Sequence, residues 1–463
     1  MFSKKMHFEI SERKILLRLF DVLTVIGALS LVGNIFAFDY FKITHVSFYW
    51  TLVLALYLNI LGTVFEMYNL QVASNQFQII KSILLTSSAT VLFFLLTPIF
   101  TPVLPSNRLQ IVYFFLSITL SLFVWRIFYQ RFLASHRFLK RVIMVCDQNQ
   151  LQQLVDSLEQ ADPHYKIIGF VDTDLSNSID KGIFGIPSVS ISNIESFVKQ
   201  NSISEIVIAS QKTDGITVDL YNNLLLLLES GFVIREYTQV YEAITNRIPI
   251  QHFDKDFYRY FPFSRSNQNR LYLLIVKFLE VLFSLLGLLI GLAILPLVLI
   301  GNLIGNRGPL FYTQTRVGQN GIPFEIYKYR TMIRNAESGG VLFATAGDIR
   351  ITPFGKFLRK TRIDEIPQFI NILKGDMGFI GPRPERPFFV KELAAIMPFY
   401  ETRHVIKPGL TGWAQVNYSY GETIEESLVK LQYDLYYIKH RSVFLDLNII
   451  IKTFSTVLFY RGQ

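Results

Sequence analysis

The sequence predicts a membrane α plus α/β protein: four N-terminal transmembrane helices, a cytosolic α/β domain, and an α-rich C-terminal domain anchored by one more apolar helix. Three observations carry that reading. Four apolar runs of helix length fill residues 1–135. From 136 to 235 the pattern changes to short buried runs alternating with helical stretches. A long apolar run at 271–304 then precedes a cation-rich region.

The chain has 463 residues, room for two or three domains. Aromatic side chains make up 14% of it, and the mean hydropathy is +0.33, which excludes a disordered polymer and points to membrane segments. The formal charge of +9 fits basic cytoplasmic loops that meet anionic headgroups or phosphates. Nucleic acid is the competing partner for such a balance, but no nucleic-acid motif accompanies it. The single Cys146 permits no internal disulfide and no cysteine metal cluster; it falls in a predicted strand, as a buried inert thiol. The first apolar run is long and lacks a small-residue cleavage site, so no cleavable signal peptide is expected.

The four runs lie at about 15–37, 46–65, 79–100 and 109–129, each near the ~20 residues that a helix needs to cross hydrocarbon. Lys4, Lys5, Arg13, Lys14 and Arg18 precede the first. Arg126, Arg131, Arg137, Lys140 and Arg141 flank or follow the fourth. Both ends therefore face the cytoplasm, which requires an even number of spans. Asp21 and Arg126 lie within apolar surroundings and are expected at the interface.

Strands are predicted at Arg141–Cys146, Tyr165–Asp172, Glu205–Ser210 and Phe232–Arg235. Helices are predicted at Gln148–Leu158, Ile191–Gln200 and Val218–Ser230. Such alternation argues a parallel sheet. The glycine fingerprint of a dinucleotide site is absent, because the first strand runs into Asp147 and Gln148. A structural or regulatory role is expected rather than cofactor binding. Residues 236–268 have little periodicity and read as a linker, leaving 269–463 as the C-terminal domain.

The run at 271–304 is long enough to cross. A fifth crossing would export Arg307, Arg316, Lys328, Arg330 and Arg334, against the positive-inside tendency. Gly287, Gly291 and Pro296 are expected to break the helix. Parity and charge favour a helix that enters one leaflet and returns.

The most informative stretch is LRKTRIDEIPQFINILKGDMGFIGPRP, Leu358 to Pro384. Asp364 reads as an N-cap, with Pro367 in the first turn and Gly375 at the C-cap. A carboxylate there feels the helix dipole and nearby guanidinium groups, and is expected to stay ionised. The same helix end welcomes phosphate. An isolated Asp-Glu pair would be an ordinary capped helix. Here Arg359, Lys360 and Arg362 precede the pair and Arg383 follows it, a set suited to phosphoryl transfer. Lys328 and Arg330 share one face if their segment is extended, and could reach a diphosphate. Asp348 is placed to orient a cation or a metal. Trp413 is expected to pack. Glu425 to His440 reads as an amphipathic helix, and the apolar run after Phe444 as a membrane-lying or core helix.

These motifs resemble those of the bacterial polyprenyl-phosphate glycosyl-1-phosphate transferases, which start capsule, exopolysaccharide or O-antigen (lipopolysaccharide) synthesis. The resemblance covers about 270 to 463 and includes RGPLFYTQTRVGQNGIPFEIYKYRTM from Arg307, DIRITPFGKFLRK from Asp348 and KPGLTGWAQV from Lys407. It implies that Asp364 is the nucleophile, that Glu365 binds Mg2+, and that Arg359 and Arg383 handle phosphate. It also implies a UDP-sugar and undecaprenyl phosphate as substrates, UMP as product, and a phospho-aspartate intermediate. The 136–235 region resembles the Rossmann-like module of the family's large members. A re-entrant membrane helix is implied, with its break at Pro296; this chain has Leu295-Pro296 where the family usually has Ser-Pro. The inner membrane, a site facing the cytoplasm and a homodimer follow from the same likeness. Glucose or galactose is the favoured sugar. Two other readings stay open on the residues alone: a membrane-tethered nucleotide-sugar dehydratase or epimerase, and a non-enzymatic polysaccharide-export scaffold.

Overall fold

The computed structural model describes residues 10–36, 38–42, 48–68, 72–73, 76–133, 139–162, 165–173, 185–209, 216–250, 267, 269–334, 336, 348–397, 399–418 and 423–458. Lys4, Lys5, Arg137 and most of the predicted linker lie outside the described residues. The chain forms two compact units, Met1–Thr245 and Asn246–Gln463.

The first unit begins with four apolar helices: α1 (Ile10–Ile35), α2 (Phe48–Val64), α3 (Gln76–Leu96) and α4 (Leu109–Phe128). Three of them are long and apolar enough to cross a membrane, and α2 is a shorter apolar helix of 17 residues. One core of Leu17, Val25, Leu54, Leu58, Phe94, Phe114 and Ile118 joins them. Their other faces leave Leu23, Leu31, Leu52 and Val124 exposed, as a helix facing lipid does. Asp21 and Arg126, expected at the interface, are buried inside the helix bundle and withheld from solvent. The Arg126 guanidinium donates to Asp21 Oδ2 at 2.6 Å, and the two side chains are 1% and 0% exposed. Neighbouring helices α1 and α4 turn these residues toward each other, and only a paired charge is tolerable there.

A four-stranded parallel sheet follows, in the order β2–β1–β3–β4, from β1 (Lys140–Cys146), β2 (Tyr165–Asp172), β3 (Glu205–Ile208) and β4 (Val233–Glu236). Alternation along β1 decides which face each residue serves. Val142, Met144 and Cys146 pack under α5 (Leu151–Ala161) and α8 (Tyr237–Thr245). Ile143 and Val145 pack under α6 (Ile194–Gln200) and α7 (Val218–Glu229). Helices on both faces make this a Rossmann-like layer arrangement. The linker prediction needs a correction at its start: Tyr237, Val240 and Tyr241 of α8 are buried in the sheet's core. Burial pushes the Cys146 thiol up to about 12, as an inert packed thiol requires.

The second unit opens with α9 (Arg270–Gly301), which is capped by Asn269 and runs on as a π-helical turn through Asn306. α9 stays helical on both sides of Pro296, so the expected break does not interrupt the helix. Gly287 and Gly291 do not break the helix either; they serve close approach. A Cβ on Gly287 would lie 2.3 Å from the Phe369 ring, and one on Gly291 would lie 2.6 Å from Ile366 Cγ2. A hairpin of β5 (Phe311–Val317) and β6 (Pro323–Tyr329) follows. Next come α10 (Pro353–Lys360), α11 (Gln368–Lys374), β7 (Gly378–Ile380), α12 (Pro387–Ile396), β8 (Gly409–Thr411), α13 (Trp413–Asn417), α14 (Ile424–His440) and α15 (Val443–Leu458). Trp413 is buried with Leu431, Leu435, Ile438 and Ile449. On α15, Phe444, Leu447 and Phe454 are exposed while Ile449 is buried, so that helix has a core face and an uncovered apolar face.

Two outcomes are expected. Gly291→Leu should destabilise the second unit by about 1–3 kcal/mol, read as a lower melting temperature of purified protein, and Ile366→Ala in the same chain should recover part of the loss; an unchanged melting temperature would contradict the contact. His404, held at about 4 by burial and then by the Arg403 charge, refuses a proton that the unfolded chain accepts near pH 6.5. Stability should therefore fall as pH drops from about 6.5 toward 4, and His404→Gln should flatten that slope in a thermal-melt series.

Candidate active site

The site is assembled where α10, β6, α11 and the Gly381–Pro384 turn converge. Thr352 caps α10 by accepting from the Gly355 N–H at 2.9 Å, with Pro353 in the first turn. After Lys360 the chain reverses at Arg362, whose φ of +58° is left-handed. A single 3-10 turn, Ile363–Glu365, then leads to α11. Asp364 is therefore not the helix N-cap that its spacing suggested. Pro367 occupies that position, and Gly375, at φ +90°, closes the helix as expected. The consequence is chemical. Freed from capping, the Asp364 side chain is 7% exposed, and its Oδ1 is buried with no hydrogen-bond partner among the described residues.

Glu365 beside it is ringed by cations. Lys328 Nζ donates to Glu365 Oε1 at 3.2 Å; Arg362 and Arg383 stand 3.6 and 4.0 Å from the same oxygen. Glu365, Lys328 and Arg383 line a small cleft together with Arg316 and Gln368. Arg359 lies behind Asp364, its Nε donating to the Thr331 hydroxyl at 2.9 Å, with its charge acting on Asp364.

Arg330 does not share this place. Strand β6 ends at Tyr329, so the two-residue period that would put Arg330 beside Lys328 does not extend to it. Its guanidinium donates instead to the backbone carbonyls of Asn306, Pro309 and Met332. Asp348 binds Arg350, the closest contact being 2.6 Å, and so orients that cation. Pro296 lies on α9 beyond the glycine face that meets Phe369 and Ile366.

The supporting residues were not legible in advance. Asn371, fully buried in α11, accepts from the Tyr327 N–H at 3.0 Å and donates to the Glu325 carbonyl at 2.7 Å, which fastens α11 to β6. Arg403 donates to the Arg383 carbonyl, the Tyr400 hydroxyl and Asp434, and so anchors the turn that carries Arg383. An amide within the apolar run Ile370–Leu373 was the one sequence signal for Asn371. The role of Arg403 depends on contacts across 20 and 31 residues, which no local pattern reports.

The two carboxyls are pushed apart electrostatically. Burial, and then the Glu365 charge, raise the Asp364 carboxyl against Lys328, Arg359 and Arg362. Burial also opposes the Glu365 charge, but Lys328, Arg362 and Arg383 together hold that carboxyl well below its usual range. The expectation that a helix dipole keeps Asp364 ionised fails with the N-cap. What favours its charge is cations, and an added divalent ion would act the same way. The donor set fits Mg2+, which binds through one or two carboxylates plus substrate phosphates. An unpartnered carboxylate oxygen beside a second carboxylate meets that need, while no cage of three or more His, Cys, Asp or Glu exists among the described residues.

Residues 271–460 match the family model described as bacterial sugar transferase, and residues 63–219 match one described as a CoA-binding domain. A UDP-N-acetylgalactosamine-undecaprenyl-phosphate N-acetylgalactosaminephosphotransferase of Aeromonas hydrophila is 34% identical over 54% of this chain and 58% of its own length. A UDP-glucose:undecaprenyl-phosphate glucose-1-phosphate transferase of Escherichia coli is 37% identical over 38% of each chain. The matched stretch thus spans between about a third and somewhat over half of these larger relatives. A Bacillus subtilis protein, provisionally named an undecaprenyl-phosphate N-acetylgalactosaminyl 1-phosphate transferase, is 43% identical over 30% of this chain and 79% of its own length. With 79% of that smaller protein matched, the chain belongs to the bacterial sugar transferases, the family of polyprenyl-phosphate glycosyl-1-phosphate transferases.

Proposed function

We propose that this protein transfers a sugar 1-phosphate from a UDP-sugar to undecaprenyl phosphate, releasing UMP, as the first membrane step of capsule, exopolysaccharide or O-antigen synthesis. The observation that carries the proposal is the Asp364–Glu365 pair, one carboxylate with a free buried oxygen and the other surrounded by three cations. The relatives' names supply the acceptor and a UDP-hexose donor, glucose or N-acetylgalactosamine; galactose remains within the same class.

In the first half-reaction the Asp364 carboxylate attacks the phosphorus that bears the sugar. The bond from that phosphorus to the UMP oxygen breaks, and UMP leaves with the electron pair. The sugar phosphate is then held as an acyl phosphate on Asp364. In the second half-reaction an oxygen of undecaprenyl phosphate attacks the same phosphorus, the bond to Asp364 breaks, and the free carboxylate returns. Lys328, Arg362 and Arg383 bind the phosphate oxygens, and Arg359 stabilises charge on the Asp364 side. Glu365, with Asp364 Oδ1, would hold Mg2+. When bound, that ion neutralises diphosphate and leaving-group charge.

The placement belongs to the same proposal: a bacterial inner-membrane protein whose α9 re-enters the cytoplasmic leaflet with its bend at Pro296, where one helical hydrogen bond is lost. Supporting it are the cation-rich segment after α9 and the uncovered apolar faces of α9 and α15. A UDP-sugar is met only on the cytoplasmic side, and the lipid phosphate stays at headgroup depth.

Purified protein with Mg2+, UDP-sugar and undecaprenyl phosphate should release UMP, and Asp364→Asn should lower turnover by about 10^3-fold or more; wild-type turnover in that variant would remove Asp364 as nucleophile. Glu365→Gln should move the Mg2+ titration to higher concentration, and an unchanged titration would contradict its role. Lys328→Gln should slow turnover with the melting temperature kept. Arg330→Gln should instead cost about 1–3 kcal/mol of stability through orphaned carbonyls; the reverse pattern would show that the two roles are exchanged. In a Cys146→Ser background, Asn320→Cys should react with an impermeant thiol reagent only in inverted membranes; labelling of intact cells would overturn the topology.

A further inference from the structure

The first unit carries a cleft that the proposed chemistry does not use. It lies between α3 and the end of α4, with a volume of about 520 Å3. Ile80, Phe123 and Ile127 form an apolar wall, and Arg126, Gln130 and Arg131 line the polar part. Both helices are of membrane-crossing length, and the polar part belongs to Arg126 in the last turn of α4 and to the π-helical turn Tyr129–Leu133 that follows.

Arg126 makes this cleft more than a packing defect. One of its nitrogens is used by Asp21; its Nε and Nη1 are buried without a hydrogen-bond partner among the described residues. Leaving guanidinium donors unpaired in a 1% exposed side chain is unfavourable, and a charged oxygen ligand would relieve it. The Asp21–Arg126 pair is neutral as a unit, so the exposed Arg131 leaves the cleft with net positive charge. The Gln130 amide is fixed by donating to the Ala73 carbonyl at 2.9 Å, which makes this end of the helix a built surface. A guanidinium pair recognises phosphate oxygens by charge and by paired N–H groups. The adjoining apolar wall suits a hydrocarbon chain and offers nothing to a free ion.

We propose that this cleft binds the phosphate head of an anionic membrane lipid, with Arg126 and Arg131 holding the head and the Ile80–Phe123–Ile127 wall taking the chain. This site is separate from the Asp364 centre and does not depend on the reaction assigned there. Occupied, it completes the hydrogen bonding of Arg126 and braces α3 against α4.

Native mass spectrometry of delipidated full-length protein tests it. The probes are phosphatidylglycerol, undecaprenyl phosphate, phosphatidylcholine and inorganic phosphate, each added alone and then in competition. Phosphatidylglycerol or undecaprenyl phosphate should bind, and whichever is preferred identifies the chain type. Arg131→Gln, and Ile80→Trp to fill the cleft, should each weaken one bound lipid by about tenfold or more. Asp21→Asn with Arg126→Gln should do the same without leaving a charge unpaired, and the melting temperature reports whether each variant is folded. Equal binding of phosphatidylcholine, retention of that lipid by the folded variants, or binding of inorganic phosphate with displacement of the lipids would each overturn the proposal.

Discussion

Two adjacent carboxyls buried together are the constraint around which the C-terminal unit is organised. Two like charges ~4 Å apart repel by about 4 kcal/mol at an effective dielectric near 20. Asp364 and Glu365 also lose hydration, so the protein must supply countercharge or leave one of them protonated. It supplies Lys328 from β6, Arg362 from the reversing turn and Arg383 from the Gly-Pro-Arg-Pro turn. All three meet one oxygen of Glu365, and Asp364 keeps an oxygen for another partner. With at least three cations against two carboxyls, the site carries an excess of positive charge.

That arrangement is held from below by the long apolar helix. Gly287 and Gly291 have no Cβ, so Phe369 and Ile366 settle against the helix backbone. Ile366 follows Glu365 directly, so one apolar contact sets the position of the Asp364–Glu365 pair along α9. From the other side, Asn371 ties α11 to β6, and Arg403 ties the Arg383 turn to Asp434 on α14. These polar ties are buried and hydrogen-bonded, which makes the placement rigid. The same logic explains Arg330: with three carbonyls satisfied by its guanidinium, it stabilises the turn after α9.

Much of the architecture was legible because it rests on local periodicity. The apolar helices and the Tyr165–Asp172 strand follow from hydrophobic pattern and length; the strand has the expected bounds and the helices differ by a few residues. The errors have distinct physical causes. Gly287, Gly291 and Pro296 were expected to break a helix by intrinsic propensity, but packing against Phe369 and Ile366 outweighs the intrinsic cost of glycine. Asp364 was taken for a cap because Asp precedes Pro at the right spacing. The left-handed Arg362 instead inserted a 3-10 turn before the helix. Asp21 and Arg126 were expected at the interface because neither shows a local partner; they are 105 residues apart and meet only when α1 and α4 pack.

By itself, the sequence determined the apolar helices, the alternating sheet domain, the family and the candidate Asp364–Glu365 pair, because each is written in contiguous motifs or short periods. Tertiary structure alone decided which cations face Glu365, that Arg330 bonds backbone carbonyls, and that Asp364 Oδ1 has no partner among the described residues. Those outcomes depend on the direction of side chains brought together from distant segments, and burial then sets the electrostatic value of each contact.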